Sequence, residues 1–365
     1  EQDITQGVVQ FRVVHGRVGK VAIEGNKHFD NANIRRSLPT VREGETPNSR
    51  AVARNLQLLA EHPAKQTNVL LRSGAAQGEI DVNVKVSDEK PWRVILSLDN
   101  TGTAETGYLR SGIGYQHSNL FNRDHTLNAQ YITSPTELNK VSIYGLGYRI
   151  PYYGLNSALD LIAGYSDVSS GTVQGLFNVS GSGTIFGARW NYYLPKWGDL
   201  EQKLIGGLDY RAFKNEVLLG GVGLVPDITV HPVSLTYSGV LRGAASELSF
   251  YAAGSANVSG GNDGDSAAFA LSRAGANASY TIFRYGANYV QAFGKEWQAR
   301  AALNGQYSTD ALVSGEQFGL GGPDSVRGYL LREVADDQGY AAQLEVYTPN
   351  LASALGLNDN YRAKL

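Results

Sequence analysis

Arg327 is the side chain whose surroundings predict the most specific chemistry in this sequence. It lies in the stretch EQFGLGGPDSVRGY at residues 316–329, where glycines allow the backbone to fold tightly. A guanidinium folded into a protein interior needs a carboxylate partner, because an unpaired buried charge is costly. We therefore expect a loop held in place by an ion pair. The residues assigned to this loop lock are Val326, Arg327, Gly328 and Tyr329.

Catalytic and metal chemistry are not favoured by the remaining side chains. The six histidines are scattered, and His117 and His125 flank a short turn with no obvious carboxylate partner. Residues 260–265, GGNDGD, are similar to one turn of a calcium-binding repeat, but such sites need stacked repeats, so a flexible polar loop is favoured. The sequence has no Cys and therefore no thiol chemistry. We predict no enzymatic activity, no catalytic or metal site and no cofactor.

Composition narrows the class of protein. A net charge of −2 does not indicate nucleic-acid binding. The sequence contains no run of about 18 apolar residues, so no transmembrane helix is predicted. Gly (43 residues) and Tyr (21) are abundant while only 18% of residues are charged, which suits a β-barrel with alternating lipid-facing and interior residues. The sequence has no Met, which predicts processing or trimming at its start.

Residues 17–88 predict a small α+β domain with the order β-α-α-β-β. Strands are expected at 17–24, 67–72 and 79–86, and helices at 31–38 and 48–61. Either Asn48 or Ser49 can cap the second helix, because both side chains accept hydrogen bonds from backbone N–H groups. Residues 1–16 are interpreted as the tail of a preceding module, residues 17–90 as this domain and residues 91–365 as a separate barrel.

From Pro91 onward the pattern changes to strands alone. Residues 297–308 alternate apolar and polar side chains over about the length needed to cross a bilayer at a tilt. Similar segments lie near 92–99, 108–118, 125–133, 139–150, 157–168, 182–193, 203–213, 230–241, 246–256, 277–290 and 338–347. These make about twelve strands, and residues 361–365 begin another, so further strands are expected beyond this sequence.

The two faces of these strands are assigned from the alternation. The residues expected to face lipid are Leu204, Leu208, Tyr210, Leu303 and Tyr307. Those expected to line the interior are Asp160, Lys203, Asp209, Arg211, Arg300 and Gln306. If the domain at 17–88 is periplasmic, the short connections are inside and the long ones, including 309–338, are extracellular, the asymmetry typical of outer-membrane barrels.

Several motifs resemble one family, the TpsB two-partner-secretion transporters of the Omp85 superfamily. The tetrapeptide at 326–329 is similar to the VRGY/F signature of that superfamily, and residues 99–107 resemble the hairpin that opens TpsB barrels. Residues 17–88 resemble a POTRA domain, the periplasmic module that precedes Omp85 barrels. Flanking positions that also match are Gly305, Gln306, Asp337, Gly339, Glu345 and Pro349.

The resemblance implies an all-β transmembrane β-barrel of about sixteen strands with an N-terminal α+β POTRA domain. It also implies that the loop folds back into the lumen and that Arg327 pairs with an Asp on the next barrel strand, which would begin at Tyr361. The expected location is the bacterial outer membrane, with the POTRA domain in the periplasm.

The function implied is export of an unfolded TpsA-type exoprotein. This cargo would be an adhesin, a cytolysin or a contact-dependent toxin. The transporter is expected to be a monomer, with the lipid bilayer of the outer membrane as its other partner. Capture of this cargo by β-augmentation is expected at a free sheet edge. The residues assigned to that edge are Thr67, Asn68, Val69, Leu70 and Leu71.

Two rival functions remain open. An Omp85-type insertase, which assembles other barrels, shares the VRGY signature and POTRA domains, and the number of POTRA domains would discriminate between them. A passive diffusion porin lacks POTRA domains, so residues 17–88 argue against it.

Overall fold

The computed structural model describes residues 15–352, together with 356 and 358, except for 103–105, 168–170, 174–176, 180–181, 215–217, 220–221, 224–225, 295, 323–324 and 331. It divides into two compact units, Glu1–Lys90 and Pro91–Leu365. The predicted tail of a preceding module at 1–16 falls almost entirely outside the described residues, as does the strand expected from Tyr361.

The first unit has the predicted element order. Its elements are β1 (Arg17–Glu24), α1 (Asn31–Ser37), α2 (Ser49–Leu59), β2 (Lys65–Ser73) and β3 (Glu79–Asp88). The sheet order is β1-β3-β2, with β1 parallel and β2 antiparallel to the central strand β3. That this unit is a POTRA domain stays a prediction.

Side-chain caps and an apolar core explain why these residues form this unit. The Asp30 carboxylate accepts the Asn33 N–H at 2.7 Å at the start of α1, and Asn48, not Ser49, caps α2 by accepting the Ala51 N–H at 3.1 Å. The helices and alternate residues of β3 each bury apolar side chains. The buried side chains are Val18, Ile34, Leu58, Leu59, Val82, Val84 and Val86.

The second unit is built on a 13-stranded sheet whose main strands follow one another along the chain. They are β4 (Trp92–Asp99), β5 (Arg110–Leu120), β6 (His125–Thr133), β7 (Ile143–Tyr152), β8 (Ser157–Ser166), β11 (Ser182–Tyr193), β12 (Leu200–Lys214), β16 (Pro232–Arg242), β17 (Ser246–Asn257), β18 (Thr281–Phe293), β19 (Trp297–Tyr307) and β22 (Gly339–Tyr347). Each predicted segment forms one of these strands, with ends that coincide with the prediction or differ from it by a few residues. The total number of strands and the closure of the sheet stay predictions.

Smaller elements lie in the connections. They are β9 (Gly171–Val173), β10 (Phe177–Val179), β13 (Leu218–Leu219), β14 (Val222–Gly223), β15 (Ile228–Val230), α3 (Ser266–Ser272), β20 (Phe318–Leu320) and β21 (Val334–Asp336). Among the described residues, the helices are too short or too polar to cross a membrane.

The large sheet has one apolar and one polar face. Leu208 and Tyr210 of β12 and Leu303 of β19 are exposed, whereas Asp209 and Gln306, which point to the other side, are buried. Residues that are directly opposite each other on neighbouring antiparallel strands point to the same face of the sheet. The register therefore collects the apolar side chains on one face and the polar side chains on the other. The partition of polar and apolar residues follows the alternation predicted from the sequence.

Three long connections pack together at one end of the sheet. An apolar cluster joins β15, the segment around α3 and the start of the connection between β19 and β22. Its buried members are Ile228, Val230, Phe269, Ala276, Ala278, Tyr280, Ile282, Leu312 and Val313. This end of the sheet is therefore a packed structure that can support an inserted loop.

Candidate functional site: the loop between β19 and β22

The connection between β19 and β22, residues 308–338, has two parts in its described residues, which are all but 323–324 and 331. A 3-10 turn at Ser314–Glu316 leads into the hairpin β20–β21, in which Phe318 pairs with Asp336. We call residues 311–320 and 332–337 the loop root, and residues 321–322 and 325–330 the loop tip. Gly321 and Gly322, where the tip leaves the root, lie in the left-handed region at φ of +112° and +94°.

The loop root is anchored to the polar face of the sheet by Glu316. Its carboxylate accepts hydrogen bonds from Arg211 of β12 at 2.8 Å and from Arg284 of β18 at 3.2 Å, and its side chain is 1% exposed. Arg211 also contacts Asp209 at 2.6 Å, and Asp209 in turn pairs with Arg189 of β11. The result is a chain of alternating charges that runs from the sheet into the loop.

Two further contacts fit the loop root closely against the strands. The Gln306 side-chain amide donates to the Glu316 carbonyl at 2.9 Å and to the Asp337 carbonyl at 3.0 Å, so one residue of β19 holds both arms of the loop. Gly315 passes over Phe213, where a Cβ atom would come within 2.7 Å of the ring. A residue with a side chain at this position would therefore have to displace the Phe213 ring.

Asp337 fixes the other arm of the loop root. Its carboxylate accepts hydrogen bonds from Arg273 at 2.9 Å, from the Leu312 N–H at 3.0 Å and from Gln317 at 3.3 Å. Burial alone would raise the pKa of Asp337, but these three donors outweigh burial and hold that pKa below its usual range. The carboxylate is thus ionised at neutral pH and ties the segment after α3 to the loop.

The loop tip lies along the polar face of β22. The Gln343 amide donates to the Ser325 carbonyl at 2.6 Å, and the Arg327 guanidinium forms an ion pair with Glu345. Glu345 also accepts from Arg300 of β19 at 2.8 Å. Because a strand rises about 3.3 Å per residue, Glu345 lies roughly 20 Å along β22 from Gly339, so the tip reaches far down the sheet.

Arg327 has a carboxylate partner among the described residues, Glu345 of β22. The Asp that the resemblance implied, on a strand that begins at Tyr361, lies outside the described residues, so that pairing stays a prediction. Glu345 is available to Arg327 because β22 follows the loop directly and presents its polar face under the tip. The side chains of Val326 and Tyr329 are exposed, and Gly328 adopts a φ of +92° that favours glycine.

The predicted capture residues lie on strand β2, at the edge of the small sheet. Among the described residues β2 pairs with β3 alone. Hydrogen bonds from Glu89 N–H to Ala64 O and from Gly74 N–H to Glu79 O fix which residues bond to β3, because bonded pairs alternate in an antiparallel ladder. In this alternation the backbone groups of Asn68 and Leu70 form hydrogen bonds to β3. The N–H and C=O groups of Thr67, Val69 and Leu71 face the open edge of the sheet.

The chemistry of this arrangement is that of ion pairing. Among the described residues, no group of three or more His, Asp or Glu side chains could hold a metal ion. Of the predicted interior charges, Asp160 pairs with Arg149 at 3.1 Å, and Lys203 lies over the Tyr193 ring. Sequence reasoning missed the roles of Glu316, Arg284 and Arg273. Glu316 opens the Gly-rich stretch, but its partners are far away in sequence, so only proximity in the fold identifies them.

Comparison with known proteins agrees with this geometry. The sequence model of the haemolysin secretion/activation protein family ShlB/FhaC/HecB matches residues 78–360. The heme/hemopexin transporter protein HuxB of Haemophilus influenzae is 21% identical over 364 residues, covering 94% of this chain and 60% of HuxB. The outer membrane transporter CdiB of Dickeya dadantii is 24% identical over 353 residues, covering 93% of this chain and 60% of CdiB.

Solved structures show the same fold. CdiB from Escherichia coli superposes with a TM-score of 0.76 at 19% identity, covering 95% of this chain and 64% of CdiB. BamA from Haemophilus ducreyi, solved without POTRA domains 1–3, gives a TM-score of 0.52 at 14% identity, covering 92% of this chain and 68% of BamA. This chain spans about three fifths of the length of its curated relatives.

These likenesses and the two-faced sheet identify an Omp85-like β-barrel of the bacterial outer membrane. The apolar face is then the lipid-facing surface, and the polar face lines the lumen. The family match extends over far more than half of the sequence. The chain therefore belongs to the haemolysin secretion/activation protein family ShlB/FhaC/HecB.

Proposed function

We propose that the full-length protein is a two-partner-secretion pore that exports an unfolded exoprotein from the periplasm to the cell surface. The observation that carries this proposal is the loop between β19 and β22, whose root and tip both bind the polar face of the sheet. A lumen lined by paired charges offers a polar path for a polypeptide. The loop that is inserted into the lumen would block this path until it moves.

Cargo capture is assigned to the first unit, as a POTRA domain in the periplasm. The open edge of β2 presents backbone donors and acceptors at Thr67, Val69 and Leu71. Main-chain pairing at such an edge gives affinity with little demand on the sequence of the partner, which suits an unfolded cargo. The open edge of β2 would first hold the unfolded cargo, and the cargo would then pass through the lumen of the barrel.

The proposed cargo is a secreted protein of the TpsA type. The relatives support this class by their names, since HuxB is a heme/hemopexin transporter protein and CdiB an outer membrane transporter. If the gene beside this one encodes an exoprotein, its sequence would show whether the cargo is an adhesin, a cytolysin or a contact-dependent toxin.

The test is secretion of that exoprotein by Escherichia coli that carries the full-length protein. We expect the exoprotein on the cell surface, accessible to added protease, with the transporter and periplasmic without it. Unchanged secretion together with a fall in other folded outer-membrane barrels after depletion in the native host would instead indicate a barrel-assembly insertase. A pore that passes small solutes and no exoprotein would indicate a passive porin.

A further inference from the structure

An apolar groove of about 510 Å³ lies on the large sheet, near the end from which the long connections leave. It runs along β17, with β16 on one side and β18 and β19 on the other. The side chains that shape it are Val233, Leu235, Gly254, Ala256, Phe283 and Tyr307. These residues take no part in the contacts that hold the loop between β19 and β22, so the groove needs an explanation of its own.

The register places the groove on the lipid-facing side of the sheet. Gly254 is directly opposite Leu235 of β16 and Phe283 of β18. Phe283 is in turn directly opposite Tyr307 of β19. Directly opposite residues of antiparallel strands point to the same face, and the three large side chains are all exposed. The groove therefore opens toward lipid and away from the lumen.

Gly254 and Ala256 of β17 form the floor of the groove. A Cβ atom built on Gly254 would meet no other atom within 4 Å, so the space above the floor is open. Toward the middle of β17, Phe250 bounds this space, because its ring leans across Gly239 of β16 and lies 5.8 Å from the Tyr237 ring. The groove is thus closed toward the middle of the sheet and open toward the long connections.

The open end of the groove is polar. Thr281 and Thr309 line it, and the Thr281 N–H donates to the Asp310 carboxylate at 2.8 Å. The longer connections of outer-membrane barrels are extracellular, so this end meets the extracellular leaflet. That leaflet is built mainly of lipopolysaccharide, whose sugar headgroup can hydrogen-bond to hydroxyl and carboxylate groups and whose acyl chains point toward the middle of the membrane. The polarity of the groove follows the same direction.

The width of the groove selects the shape of its occupant. The walls stand on β16 and β18, the two neighbours of β17, whose axes are about 10 Å apart. The side chains of Leu235 and Phe283 fill part of that distance. A helix, about 10–12 Å across with its side chains, is too wide for this floor. An extended peptide would bring unpaired backbone groups into lipid. A single hydrocarbon chain satisfies both limits.

We propose that this groove is a lipopolysaccharide-binding site, in which one acyl chain lies on Gly254 and Ala256 between the walls of β16 and β18. Lipid tails are as apolar as the protein surface, so retention comes from van der Waals packing and not from the hydrophobic effect. A chain in the groove contacts a floor and two walls, whereas a chain on a flat part of the surface contacts protein on one side. The inference is independent of the proposed export function.

Filling the groove tests the proposal. Full-length protein is extracted into mild detergent, which removes loosely held lipid, from a host with short, uniform lipopolysaccharide, and native mass spectrometry identifies what remains bound. Gly254→Leu should lower retained lipopolysaccharide about fivefold or more, because the new side chain occupies the floor. Gly206→Leu is the matched control, since Gly206 lies opposite Leu235 on its other side and also has open space above it. It should stay within about twofold of wild type. Equal retention in the two variants, no retained lipid in wild type, or retained phospholipid alone overturns the proposal.

Photocross-linking locates the retained lipid without filling the groove. Phe283→p-benzoylphenylalanine places a photoreactive ring in one wall, and Leu146→p-benzoylphenylalanine places the same ring on β7, outside the groove. The two native side chains are equally exposed, at 46%. After detergent extraction and irradiation, we expect about fivefold more lipopolysaccharide adduct at position 283 than at position 146. Similar labelling at both positions would show that lipid is held without preference for the groove and would overturn the site.

Discussion

The two units of this protein place the large apolar side chains of their strands differently. The first unit buries apolar residues such as Ile34, Leu59 and Val84, whereas the sheet of the second unit exposes Leu208 and Leu344 and buries Asp209 and Gln306. The same strand alternation builds both. The difference teaches that the solvent, water for one unit and lipid for the outer surface of the other, decides which half of an alternating pattern becomes the inside.

The largest expected contrast is between the same substitution in the two units. Leu59→Ala, at a side chain 1% exposed, should destabilise the first unit by about 2–5 kcal/mol, because it leaves a cavity. Leu344→Ala, at a side chain 86% exposed, should cost about 1 kcal/mol or less. Denaturant titration of the full-length protein in lipid vesicles, followed by proteolysis of each unit, measures both. An equal cost would show that protein, not lipid, covers Leu344.

A charge placed on equally exposed leucines sharpens the comparison. Leu303 and Leu70 are 38% and 40% exposed, yet one is assigned to lipid and the other to water. Leu303→Arg should destabilise the barrel by about 2–4 kcal/mol, while Leu70→Arg should change stability by about 0.5 kcal/mol or less. The same titration in vesicles gives both values, and a neutral Leu303→Arg would mean that the assigned faces are reversed.

Proline on β2 probes the edge that the first unit leaves open. Val69→Pro removes an N–H that points away from β3, so the unit should remain folded while cargo capture and secretion fall. Leu70→Pro removes a ladder N–H and should destabilise the unit by about 1 kcal/mol or more. Secretion and protease resistance are measured together for each variant. Normal secretion by the folded Val69→Pro protein would count against this edge as the docking site.

Removal of the Arg327 side chain should change stability least. The guanidinium is mostly solvated, so Arg327→Ala should cost about 1 kcal/mol or less. It should nevertheless misplace the loop tip, altering pore conductance and lowering export. Arg327→Lys should restore pore conductance and export only in part, because the lysine ammonium lacks the planar guanidinium that binds a carboxylate through two hydrogen bonds. Wild-type conductance and export in Arg327→Ala would remove the tip ion pair from the proposed mechanism.

Local patterns identified most elements of the fold. The strands β4, β6 and β11 were predicted with their observed ends, because the residue types of each strand differ from those of the connections beside it. The predicted ends were too early at β7 and β18, where a turn at 138–140 and a bend at 278–279 precede the first paired residue. In the first unit, the competing caps Asn48 and Ser49 were separated only by the backbone geometry.

The sequence by itself determined that the chain holds a small α+β unit followed by amphipathic strands, and that Arg327 lies in a glycine-rich loop. Only the tertiary structure decided what holds that loop. Glu316 meets Arg211, more than a hundred positions earlier in the chain, and Arg327 meets Glu345 of β22. The reason is that alternation is a property of neighbours along the chain, whereas an ion pair depends on which strands the register brings together.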